Sequence, residues 1–361
     1  MFIVRGFSQS AADWVAASGT GEVYTVAPPT LVRCSSPFAG SGTKLSRLNS
    51  YVSPAAHVSR LPNARCIGTD GAIVTMDGLL LLSTVQRFAV PIAANRAWDH
   101  LEPSGQEYVF DGTLGVMTHH GSQNFCHVLA DGLPRIWLVR KSGIEPDAWV
   151  VPARPAGWFS ELLDLVDIPE KRRVYVEAGS TVTARNLIVP ERSGFALAVA
   201  PWARTALLDL FGLCDSTGST EDRVWISREM ADRRRWIQER DAWLSLEDRG
   251  FEICTFEERT IEWQYRRIAN CNVIAGPHGA GLAWGLAAQS LSGLLFEVAN
   301  TNVVHNDYQA VAAVAGWRYA RSSHADVPMS VGDDYLLDLD IEPTEVISQL
   351  DIALRRWQKE P

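Results

Sequence analysis

The 361-residue chain has no paired-cysteine motif, no long apolar run and no excess of positive charge. Its six cysteines (Cys34, Cys66, Cys126, Cys214, Cys254 and Cys271) are scattered without a C-x-x-C pair, which suits reduced thiols better than a disulfide framework. No window approaches the roughly 20 uninterrupted apolar residues of a membrane span. The longest candidate, residues 271–289, is interrupted by Pro277, His278 and several glycines. The opening MFIVRGFSQSAADW lacks a charged segment followed by an apolar core, so no signal peptide is expected and the expected location is the cytoplasm. Peripheral membrane association stays open. A net charge of −9 gives no field to attract a phosphate backbone and argues against general nucleic-acid binding. The sequence does not determine the oligomeric state.

The composition that remains is that of a globular protein: 47% hydrophobic, 21% charged, long enough for two domains. Residues 222–323 alternate strand-like and helix-like runs: DRVWISRE, QERDAWLSLEDRG, FEICTFE, TIEWQYRRIAN, CNVIAG, GAGLAWGLAAQ, GLLFEV, VVHNDYQAVAAVAG and WRYARSS. Strands separated by such helices form a parallel sheet through right-handed crossovers, so a doubly wound Rossmann-like domain is expected here. The first half is less regular. AWVVPA, GWFSELLDLV and RRVYVEAG again read strand, helix, strand after a helical GSQNFCHVLADGLPRIWLVRKSG, while residues 20–110 are rich in Pro, Gly, Ser and Thr with short strand-like runs. The expected organisation is a β-rich N-terminal elaboration over 1–110, an α/β domain over 111–215, a nucleotide-type Rossmann-like domain over 216–330, and a tail with a final amphipathic helix over 331–361.

The turn GPHGAG, residues 276–281, sits at the carboxyl end of a strand, where ligands bind in open parallel sheets. Its glycines permit close backbone approach, and the free N–H groups of a following helix favour an anion, so a phosphate or diphosphate is the expected guest. A ligand-free tight turn fits the same residues. The spacing is not the dinucleotide G-x-G-x-x-G, which counts against NAD. Glu297 ends the next strand, where a carboxylate can accept ribose hydroxyls, and Arg228 ends the first strand, followed by the basic run Asp232–Trp236. In NFCHVLADGLPR, His127 and Asp131 stand four residues apart on a helix. Either the histidine is a general base oriented by the aspartate, or Asp131 is the base and His127 holds an acceptor hydroxyl. His119 and His120 lack an H-E-x-x-H context, so no zinc is expected, and Asp338-Leu-Asp340, a D-x-D pair, reads as a solvated acidic stretch of the tail.

NFCHVLADGLPR, VWISRE with RRRWIQE, EWQYRRIANCNVIAGPHGAGL and LLFEV occur in that order over residues 115–323, and the ordered set resembles the glycosyltransferase family 61 proteins. The resemblance implies a GT-B-like architecture, two Rossmann-like domains facing a cleft, and inverting, metal-independent transfer from a nucleotide sugar, UDP-linked, to a glycan or glycoconjugate hydroxyl. It implies catalytic roles for His127 and Asp131, and donor contacts from Arg228, Arg234, Gln264 and the turn residues His278, Gly279, Ala280 and Gly281, beside Glu297. No cofactor and no metal are expected. Gln238 stands where the family usually has Asn, and Trp284 where Asn is frequent. A nicotinamide-dependent oxidoreductase and a non-catalytic nucleotide-sugar-binding protein are the competing classes, the first disfavoured by glycine spacing, the second by the intact His127 and Asp131.

Overall fold

A computed structural model describes residues 4–35, 38–39, 48–85, 105–153, 155–192, 198–215, 222–300, 306–324 and 337–359. The chain is mixed α/β with parallel sheets and divides into two compact units. One contains residues 1–30 and 53–196, the other 31–52 and 197–361. The expected boundaries at 215/216 and 330/331 involve residues outside those described, as does the expected start of the helix at 303–305.

The first unit is built on a sheet whose central strands are Glu107–Val116 and Thr181–Pro190, paired in parallel. Neither was read from the sequence, because Asp111 and Gly112 in one, and Arg185 and Asn186 in the other, break the apolar alternation; the register shifts between Phe110 and Thr113. Ala148–Pro152 and Arg173–Val176 extend the sheet in parallel, with the expected helix Gly157–Leu165 between them. On the other side Ala56–Pro62 and Arg65–Ile67 run antiparallel to Thr181–Pro190, which is the β-rich N-terminal contribution. Leu61, Cys66, Leu114, Val150, Val182 and Leu187 fill the core on this sheet.

In the second unit the expected alternation is present. Five parallel strands, β1 (Arg223–Ser227), β2 (Phe251–Thr255), β3 (Val273–Pro277), β4 (Leu294–Asn300) and β5 (Arg318–His324), lie in the order β2-β1-β3-β4-β5, with Phe38–Ala39 added in parallel beyond β5. The helices α1 (Glu239–Glu247), α2 (Ile261–Ala269) and α3 (Asp307–Ala315) lie between strands in sequence, and α4 (Pro343–Lys359) closes the chain. Thr260 caps α2 by accepting from Trp263 N, and Gly316 ends α3 in a left-handed conformation with φ 75°. Trp225, Val273, Phe296 and Leu350 pack in the core. The strand order reverses direction between β1 and β3, so the carboxyl ends of these two strands flank a topological switch point, where an open sheet leaves a crevice.

The run after β3 departs from expectation. Ala280–Ala287 forms 3-10 turns, not an α-helix. Leu282 to Ala287 are all buried, and the glycines hold it close to its neighbours. A Cβ on Gly281 would lie 3.1 Å from the Ile226 side chain, and one on Gly285 3.1 Å from Val311. Packing thus overrides a segment whose glycines weaken its own helical preference.

All six cysteines are free thiols. Among the described residues no helix is long and apolar enough to cross a membrane.

Candidate functional site

The first unit holds the histidine–carboxylate cluster. Asn124 caps the helix by accepting from Cys126 N at 2.9 Å, and Phe125–His127 leads into a π turn, Val128–Gly132, before Leu133–Lys141 continues the helix. Leu133 N accordingly bonds Val128 O, five residues back. Single π turns inside helices occur frequently at functional sites, and this one begins immediately after His127 and carries Asp131. The His127 ring packs on Gly121, where a Cβ would lie 2.9 Å from ring carbons and where φ is 96°. Gly121 therefore satisfies two needs at once, a left-handed backbone and room for the imidazole.

Asp131 is 5% exposed and held by two guanidinium groups, Arg192 Nε at 2.9 Å from Oδ2 and Arg135 Nε at 3.7 Å from Oδ1. Arg135 is itself fixed by donating to the Thr118 carbonyl at 3.0 Å. Burial pulls the His127 imidazole below its ordinary value, and the Asp131 charge works in the opposite direction. His127 is thus neutral near pH 7, the form that can take a proton. His119, fully buried, is pulled down to about 3 and donates from Nδ1 to the His120 carbonyl at 2.9 Å. Arg135 was readable as the next i+4 step after Asp131. Arg192, 61 residues from Asp131, had no local signal.

The second unit holds the turn after β3 and the arginine loop after β1. Arg228 follows β1, and its guanidinium donates to the carbonyls of Arg233, 2.8 Å from Nη2, and Arg234, 3.3 Å from Nε. It lies against Gly279, where a Cβ would meet Arg228 Nη1 at 2.1 Å. Burial, then the neighbouring charge of Arg234, pulls the Arg228 guanidinium below its ordinary value. Arg234 has a left-handed backbone, φ 57°, unusual for a non-glycine residue, and its buried Nε has no hydrogen-bond partner among the described residues. Two like charges held together, one with a free donor, form a site that favours an anion.

The loop is braced from a distance. Asp338 accepts from Arg235 N and Nε, both at 2.9 Å, and from Nη2 at 2.6 Å. Asp340 accepts from Gln238, Leu339 N donates to the Arg235 carbonyl at 2.7 Å, and Trp236 Nε1 donates to the Ile341 carbonyl at 2.8 Å. The D-x-D pair is therefore not a free solvated stretch; its carboxylates tie the tail to the arginine loop. At the loop's far end, buried Glu239 accepts from Trp225 Nε1 at 2.6 Å, Ser227 Oγ at 3.0 Å and Arg228 N at 3.3 Å.

His278 follows β3, 7% exposed, and its Nδ1 bonds Glu297 Oε1. Glu297, 1% exposed, also accepts from the Tyr319 hydroxyl and stands directly opposite Arg321 in the β4–β5 register. Burial alone would raise the Glu297 carboxyl, but Arg321, His278 and Tyr319 outweigh it and hold it at about 2. The glutamate thus stays ionised and fixes the histidine with Nδ1–H toward the carboxylate. Burial in turn pulls the His278 imidazole below its ordinary value. Tyr308 packs edge-on to His278, 5.2 Å between ring centres, and donates to the Gly279 carbonyl at 2.5 Å. Tyr319 and Arg321 lie two apart on β5, a period-2 signal that could have marked them as one face.

Of the residues expected to contact a donor, Arg228, Arg234, His278 and Gly279 come together in the second unit through the contacts above, with Ala280 and Gly281 in the same turn. Gln264 lies on α2 with its amide engaged internally. It donates to the carbonyls of Phe256 at 2.9 Å and Arg259 at 3.1 Å, and accepts from Trp284 Nε1 at 2.9 Å. Trp284, the departure from the family's frequent Asn, is fully buried and ends on this bond.

No curated protein sequence matches the chain significantly. The family model described as Glycosyltransferase 61 matches residues 125–295, from the start of the His127 helix to the second residue of β4, and this match implies glycosyltransferase activity. That region carries all but one of the expected site residues, and its match supports the resemblance to the glycosyltransferase 61 family.

Proposed function

We propose that the protein is an inverting, metal-independent glycosyltransferase of GT-B type that moves a sugar from a UDP-linked donor to a hydroxyl of a glycan or glycoconjugate. The observation that carries the donor reading is the paired arginines at the β1–β3 switch point, Arg228 against Gly279 and Arg234 with an unpartnered buried Nε. A diphosphate supplies the negative charge and acceptor oxygens that such a pair lacks. Arg228, Arg234 and the first N–H groups after Gly279 stabilise the departing diphosphate, so the field that a divalent cation would provide comes from the chain itself. Glu297 serves by positioning His278 through its bond to Nδ1.

In the first unit, the engagement of Asp131 by two arginines favours His127 as the base. The acceptor hydroxyl gives its proton to the neutral imidazole as its oxygen forms a bond to the anomeric carbon. The bond from that carbon to the diphosphate oxygen breaks, and UDP leaves with the electron pair. Asp131 stabilises the imidazolium that forms, a positioning and electrostatic role.

The test is thermal stabilisation by UDP, because a ligand of the native state raises the melting temperature by mass action. Wild type is expected to shift with UDP and Arg228→Ala to lose most of the shift. Equal shifts in both proteins refute the arginine assignment, and a larger shift with NADH than with UDP supports the oxidoreductase class.

A further inference from the structure

A donor of this kind carries ribose and sugar hydroxyls, and sites that select such groups offer them a carboxylate acceptor. Glu297 occupies the strand-end position where that carboxylate was expected, yet each of its oxygens already has a protein partner and the residue is sealed from solvent. We propose that Asp307 is the carboxylate that accepts a hydroxyl of the nucleotide-sugar donor; this rests on the donor reading above. Asp307 is the first residue of α3, adjacent to Tyr308, which is bonded to Gly279 and packed on His278. Its Oδ1 is buried and has no hydrogen-bond partner among the described residues. Burial, then the charge of Glu297, pushes its carboxyl up to about 7, with Arg321 opposing. A carboxylate oxygen withdrawn from water without a donor is costly to keep, and a hydroxyl from the ligand supplies the missing donor. Three buried or braced acids near the turn and the arginine loop are committed: Glu297 to His278 and Tyr319, Glu239 to Trp225 and Ser227, Asp338 to Arg235.

Titration calorimetry of UDP, 2′,3′-dideoxy-UDP and a panel of UDP-sugars with wild type, Asp307→Asn and Asp307→Ala tests this. Asp307→Ala is expected to weaken at least one hydroxyl-bearing ligand by roughly tenfold or more, with the near-isosteric Asp307→Asn guarding against a folding artefact. A loss with UDP that disappears with the dideoxy nucleotide places the hydrogen bond on the ribose. A loss confined to UDP-sugars places it on the transferred sugar. Equal losses for UDP and dideoxy-UDP, with no further loss for UDP-sugars, mean an indirect effect through Tyr308 and overturn the inference. Wild-type affinity of both variants for every ligand that the wild type binds overturns it as well, while the donor reading stands. A wild type that binds none of these nucleotides removes the donor reading, and the inference with it.

Discussion

Replacing Gly279 by alanine should damage donor binding out of proportion to stability. The backbone at Gly279 is extended, φ −171° and ψ 159°, a conformation open to any residue. The obstacle is Arg228: a Cβ would lie 2.1 Å from its Nη1, 2.8 Å from Cδ and 2.9 Å from Cζ. The guanidinium is the far end of a flexible side chain, so it swings away and the fold survives. It gives up its bonds to the carbonyls of Arg233 and Arg234, at a cost of about 1–2 kcal/mol. The loss to the ligand is that of a charge-assisted contact, about 1.5–3 kcal/mol, or about 10–150-fold in affinity for UDP at 25 °C. Because the methyl group acts only through Arg228, the double variant Gly279→Ala/Arg228→Ala should bind UDP no more weakly than Arg228→Ala alone. Calorimetric titration of the four proteins measures this directly. Wild-type affinity in Gly279→Ala, or losses that add in the double variant, would refute the reasoning.

His127→Ala should lower turnover by about 10²–10⁴-fold with little change in UDP binding; near-wild-type turnover would remove the histidine from the mechanism. Since burial sets the imidazole below its ordinary 6.5, rate should be flat at neutral pH and fall on the acid side below that value, and Asp131→Asn should move the fall further toward acid by removing the charge that favours the imidazolium. That variant also strands two guanidinium groups, so it should melt lower; an unmoved acid limb in a folded Asp131→Asn would reject the coupling. Turnover should persist in EDTA, and activity abolished by the chelator and restored by manganese would contradict the metal-independent reading. For Asp307, the proton is held more tightly in the folded chain, about 7 against an ordinary 3.8. Its contribution is therefore most favourable below about pH 4 and is lost as pH rises toward 7, so Asp307→Asn should gain stability relative to wild type over that window, by at most about 4 kcal/mol. Parallel melting curves for the two proteins from pH 4 to 8 would refute this.

The strand and helix alternation of residues 222–323 was legible because it is a local property: apolar periodicity, a Thr260 cap, a Gly316 stop. The position of the GPHGAG turn at a strand's carboxyl end followed from the same pattern, and so did the placement of Arg228 one residue past β1. What each polar side chain does there was not local. Gln264 is drawn inward by Trp284, 20 residues later, and Glu297 by His278 and Tyr319, 19 and 22 residues away. The strand order that makes β1 and β3 neighbours decides which loops meet, and no window of sequence contains that order. Asp338 and Arg235 are 103 residues apart, and their pairing turns an acidic tail into a brace for the arginine loop. Residue type and spacing determined which groups could carry chemistry. Only tertiary packing decided which of them keep a free oxygen or nitrogen, because a buried polar atom is claimed by whatever donor or acceptor the fold brings within about 3 Å.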